Sequence, residues 1–117
     1  MTDVDSRGTA SATVGPDGEL LALCAAHADA HARLAGLWRE DDASPSPALQ
    51  ARLGAAERRC TALYDRLAGW QASSPAGLRA LAEAHLRHIL TDAAGEPESY
   101  RDRPLWALAH SILALSR

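Results

Sequence analysis

The sequence predicts an all-α fold: an antiparallel helical hairpin packed with two shorter helices, in a four-helix arrangement. Three observations carry that reading. Apolar residues recur at alternating spacings of four and three along two long segments, as in helices with one buried stripe. Serine–proline pairs stand where helices would begin, at Ser46–Pro47 and Ser74–Pro75. No segment alternates with period two, so nothing reads as a strand.

The elements follow in order. Residues 1–17 are polar and without period, and predict a disordered tail ahead of a single helical domain, 18–117. Asp17 offers an N-cap, with Glu19 near the positive end of the helix dipole. The first helix is expected over about 18–40, with a stripe of Leu20, Cys24, His27, His31, Leu34 and Trp38, widened by Leu23 and Leu37. The run EDDASPSP breaks it. The second helix begins after Ser44 or Ser46, with Leu49, Leu53, Ala56, Cys60, Leu63, Leu67 and Trp70 as its seam. Two helices this long joined by a loop this short form an antiparallel hairpin. The third helix starts after Ser74 and carries Leu78, Ala82, His85 and Ile89 on its stripe. A polar loop, TDAAGEPESYRDRP, leads to a fourth helix with Leu105, Leu108, Ile112 and Leu115 aligned. The two shorter helices are expected to lie across the hairpin.

Composition narrows the function classes. The 117 residues suffice to bury a core without disulfides or a structural metal. Alanine and leucine supply that core, since aromatics are 4% and phenylalanine is missing. All 12 basic residues are arginine, and neither lysine nor asparagine occurs. That bias suits a GC-rich bacterial genome. A net charge of −3 speaks against a nucleic-acid partner, whose phosphates demand a basic face. No apolar run reaches the length of a membrane span, and the first residues lack a signal-peptide core. The expectation is a cytoplasmic protein with no membrane partner, in which Cys24 and Cys60 are reduced thiols.

The stretch CAAHADAHARLAGLW holds the residues closest to chemistry. His27 and His31 stand four apart, one turn along a helix, with Cys24 three residues before them. Pairing Trp38 with Leu49 across the hairpin puts His31 opposite Ala56 and His27 opposite Cys60. Cys24, His27, His31 and Cys60 would then lie within about two turns, roughly 10 Å. Two thiolates and two imidazoles suit tetrahedral zinc. Against this, the spacing matches no zinc signature, and no acidic residue inside the seam could orient the imidazoles. The reading adopted is structural: His27 and His31 pack, no metal or cofactor is held, and His85 behaves similarly. His88 and His110 lie off the stripes and are expected in solvent. Glycine phosphate loops, the Gly-x-Ser-x-Gly elbow and His-Glu-x-x-His are all missing, so no catalytic residue is assigned.

Three segments together, LLALCAAHADAHARLAGLW, SSPAGLRALAEAHL and RPLWALAHSIL, resemble a group of short Ala- and Arg-rich helical proteins of alphaproteobacteria, some from prophage regions. The resemblance covers roughly 18–115. It rests on the Leu21-x-x-Cys24-Ala25 start and the closing Leu105–Trp106 pair. It implies that His27 occupies the place of an aromatic core residue, and it brings no activity to any residue here.

The functional expectation is a small non-enzymatic helical protein that binds another protein or itself. Trp70 and Trp106, at the edges of a small core, are the interface candidates; capping the bundle ends is their alternative role. The rival reading is a metal- or redox-responsive bundle built on Cys24, His27, His31 and Cys60.

Overall fold

A computed structural model of the chain describes residues 16–115. Four α-helices form: α1 (Gly18–Ala43), α2 (Pro47–Ala68), α3 (Pro75–His88) and α4 (Arg103–Leu115). A 3-10 turn, Tyr100–Asp102, leads into α4. Among the described residues there is no strand; Thr91 and Pro97 form an isolated bridge in the loop after α3. The all-α four-helix class is therefore the one the periodicities predict. Most of the expected disordered tail, residues 1–15, lies outside the described residues. Asp17, its last residue, is buried and bonded into the fold.

Both serine–proline starts act as expected. Ser46 Oγ accepts from the Leu49 amide at 3.1 Å, and Pro47 opens α2 with a ring that needs no donor there. Ser74 Oγ accepts from the Gly77 amide at 3.0 Å, and Pro75 opens α3. Asp17 departs from expectation. Its side chain makes no cap bond to α1. Instead the carboxylate crosses to the start of α3, accepting from the Ser73 amide at 3.0 Å on each oxygen and from the Ser74 hydroxyl. Ser74 thus donates to Asp17 while accepting from Gly77. These contacts, led by the Ser74 hydroxyl, hold the Asp17 carboxyl below the usual carboxylate range.

The Asp17 bridge sets the layout. It places the N-termini of α1 and α3 together. Arg87, at the other end of α3, donates to the Cys24 carbonyl at 3.2 Å. So α3 runs parallel to the first half of α1, and α2 returns antiparallel beside it. The core gathers Leu20, Leu23, His27, Ala30, Leu34 and Leu37 of α1 against Leu49, Leu53, Cys60, Leu63 and Leu67 of α2. Ala84 of α3 joins it.

Two expectations about packing change. The α1 stripe is rotated towards its Leu23–Leu37 side: Leu23 and Leu37 are buried as expected and Ala30 joins them, whereas His31 is half-buried and Trp38 is 45% exposed. The reason is that α1 serves two neighbours, so its apolar arc is wider than one seam. Cys24 turns towards α3, lining a groove with Ala80, Glu83 and Arg87. The second change concerns α4, which packs on α3 and not across the hairpin. Only Ala109 of α4 is buried.

The loop between α3 and α4 is tied down locally. The Asp92 carboxylate accepts from the amides of Ala94 and Glu96 at 2.9 and 3.0 Å, and Gly95 takes a φ of +81°, which a residue with a Cβ adopts only with strain. Arg103 Nη1 reaches Glu96 Oε1 at 3.4 Å.

Candidate functional site, a histidine cluster between three helices

The feature with most chemical content lies where α3 ends. Helix α1 presents His27 and His31 one turn apart, with ring centroids separated by 4.7 Å. Helix α3 brings His85, Arg87 and His88 from its last turn. Helix α2 contributes Tyr64, whose ring stacks flat on His88 at 3.6 Å with an interplanar angle of 4°. The Tyr64 hydroxyl shares a hydrogen bond with His85 Nδ1 at 2.7 Å, the rings meeting edge to face. The Tyr64 ring also lies 5.9 Å from that of His27. One aromatic ring on α2 thus organises imidazoles from the other two helices.

His27 is the most enclosed member, fully buried. Arg87 Nη2 points at its Nδ1 from 3.4 Å, a long and weak contact. Its Nε2 has no hydrogen-bond partner, and neither has Arg87 Nε. An unpaired buried polar atom costs free energy, so each calls for an explanation.

The electrostatics favour neutral imidazoles. Burial, followed by the positive neighbours His31, Arg87, His88 and His85, pushes the His27 pKa down to about 4. Burial also lowers His31 and His85. It lowers His88 too, although Asp102 and Asp65 pull the other way. At neutral pH the cluster therefore offers unprotonated nitrogen lone pairs, the form that binds metal ions.

One nitrogen from each of His27, His31 and His88 lies within 4.8 Å of the others, and these three form the group able to surround an ion. The sequence candidates divide. His27 and His31 belong to the group; Cys24 and Cys60 do not. The hairpin ruler fails by a turn: the ring beside His27 on α2 is Tyr64, not Cys60. Both thiols are buried and unbridged, and burial raises their pKa, which makes them poor nucleophiles and poor redox centres. The sequence reading placed His88 in solvent, where its exposure agrees, but did not link it to His27 and His31, and it did not single out Tyr64. The available signal was their placement, each next to an apolar stripe position, Tyr64 after Leu63 and His88 before Ile89. His110 is exposed as expected.

The interface candidates also divide. Trp70 is partly buried and packs against the core at the end of the hairpin. Trp106 is half-buried on α4, its ring edge-on to His110 at 4.5 Å. Around it α4 stays open, with Leu108 57% and Leu115 88% exposed. No helix among the described residues is long and apolar enough to cross a membrane. No protein family, curated protein or solved structure matches the chain.

Proposed function

We propose that this is a non-enzymatic protein-binding module that works through α4, and that its first partner is a second copy of itself. The open leucine edge of α4 supports this. The helix has 13 residues, is strongly apolar, and buries only Ala109 against its neighbour. Its Leu108 and Leu115 face solvent, as do Leu78 on α3 and Leu90 beyond it. An apolar helix with an uncovered face gains free energy by being covered.

Charge favours a self-complementary contact. Arg103, already facing Glu96, is the one charged residue in α4. The face therefore carries no pattern that would select a charged partner. It also carries no like charges to repel across a two-fold axis, where each residue meets its own surroundings. Trp106 at the border of the face supplies an aromatic anchor.

Sedimentation velocity over a range of concentrations tests this. The wild type is expected to pass from monomer to dimer as concentration rises. The double variant Leu108→Glu/Leu115→Glu is expected to stay monomeric with unchanged helicity and melting temperature. A wild type that remains monomeric throughout, or a variant that dimerises equally well, overturns the proposal.

A further inference from the structure

We infer that His27, His31 and His88 form a binding site for a borderline divalent transition-metal ion of the zinc class, separate from the α4 face and independent of its role. Three features of the cluster lead there.

The first is geometry. Two imidazoles four apart on one helix lie on the same side, an arrangement that chelates an ion. The third comes from the end of a different helix, so the ion would tie α1 to α3. Around a tetrahedral ion with Zn–N bonds of about 2.0–2.1 Å, neighbouring nitrogens sit roughly 3.4 Å apart. The observed spread, within 4.8 Å, closes to that by side-chain rotation. His31 is half-buried and can rotate towards the other two rings, and the exposure of His88 gives the ion a way in. His27 is held by the packing around it.

The second is the unused nitrogen. His27 is fully buried and its Nε2 bonds to nothing. A histidine kept purely for packing would be expected to have both ring nitrogens paired or one wet. His27 therefore brings an unpaired ring nitrogen to a cluster in which His31 and His88 also offer one nitrogen each.

The third is donor type. Imidazole without thiolate or carboxylate suits zinc, copper, nickel and cobalt, and disfavours magnesium and calcium. Three protein ligands leave a fourth position for water or a partner's side chain. The supporting shell is partly in place. Tyr64 fixes the plane of His88 by stacking on it, and its hydroxyl is held by His85.

Arg87 is the opposing charge, with its guanidinium beside His27 Nδ1. The carboxylate facing it is Glu83, one turn earlier on α3, and Asp65 and Asp102 act on His88. Arg87 therefore weakens the site and does not build it. This gives the inference a directional signature: removing the arginine charge tightens metal binding, whereas removing any of the three imidazoles loosens it.

The experiment uses the untagged full chain, stripped with a chelator and titrated with zinc by calorimetry, then with cobalt by absorption spectroscopy. The expected result is one equivalent of zinc and a raised melting temperature. The cobalt complex is expected to show ligand-field bands but no thiolate charge-transfer band. His88→Ala and His31→Gln are expected to weaken binding by at least about tenfold. Arg87→Gln is expected to strengthen it by about tenfold, as removal of a nearby positive charge implies. His110→Ala is the control and leaves it unchanged. Circular dichroism establishes that each variant is folded. The inference is overturned by failure to bind zinc at millimolar concentration, by equal binding in a folded His88→Ala, or by a thiolate band implicating Cys24 or Cys60.

Discussion

Alanine in place of glycine inside a helix normally stabilises, by up to about 1 kcal/mol. At Gly77 the sign is expected to reverse. A Cβ built there would lie 2.0 Å from Asp17 Oδ2, 2.6 Å from Cγ and 3.0 Å from Cβ. The carboxylate cannot stay where it is, and moving it breaks its bonds to Ser73 and Ser74. Overpacking of this kind costs about 1–3 kcal/mol, and the helix-propensity gain offsets at most about 1. A net loss of roughly 1–2 kcal/mol corresponds to a melting temperature lower by about 5–15 °C in a domain this size. Gly36→Ala is the comparison. It also lies inside a helix, but its Cβ would meet nothing closer than Arg39 Nη2 at 3.8 Å, so it is expected to melt about 4–8 °C higher. Thermal melts followed by far-ultraviolet circular dichroism read both. A further measurement isolates the cause. With Asp17→Ala already in place, Gly77→Ala has room and should cost less than in the wild type, a coupling that a double-mutant cycle measures. If Gly77→Ala melts at or above the wild type, the Asp17 bridge is not where the structure places it.

Two further outcomes follow from packing and charge. Leu53→Asp is expected to unfold the chain, since a carboxylate in the buried hairpin interface costs several kcal/mol of a small total, whereas Arg58→Ala on the exposed side does little; similar melts for both would refute the hairpin. The metal-free protein is expected to lose stability in acid. With His27 near 4 when folded and about 6.5 when unfolded, the unfolded chain takes up the proton first, so stability is complete above about 6.5 and falls as the pH drops towards 4. At about 1.4 kcal/mol per unit, His27 alone accounts for roughly 3 kcal/mol. His31, His85 and His88 act in the same direction, and Asp17 adds its own loss only below about 3.8. Urea unfolding that gives equal stability at pH 7.5 and 4.5 would contradict this.

The helices were legible because their signals are local. A serine with proline after it caps a helix whatever surrounds it, and both such starts stand where the sequence puts them. The site was half legible. His27 and His31 are a turn apart by arithmetic alone, so their proximity needs no tertiary information. His88 could not be found that way. It joins them only because α3 runs parallel to α1 and stops at the level of His31, and that alignment is set by Asp17 at the other end of the helix. Cys60 was misplaced for a related reason. Aligning one stripe of α1 with one stripe of α2 assumes a single neighbour, whereas α1 divides its apolar arc between two. Leu20 and His27 are the most deeply buried residues of α1, and His27 has neighbours on both α2 and α3.

Helix α3 also divides α1 into two unequal lengths. Its 14 residues reach roughly 21 Å, against about 39 Å for the 26 residues of α1. Among the described residues, α1 beyond His31 packs on α2, and Leu34, Leu37, Leu49 and Leu53 hold that outer portion together. The described residues form a four-helix body, α4 included, from which the far halves of α1 and α2 continue as a two-helix arm, and the whole extends 56 Å. One continuous helix therefore has two thermodynamic regimes. Hydrogen exchange is expected to protect amides in the first half of α1 more strongly than those near Ala43, since the former are packed by more neighbours. The histidine cluster sits at the elbow between them. Whatever stiffens that elbow sets how freely the arm bends relative to the body.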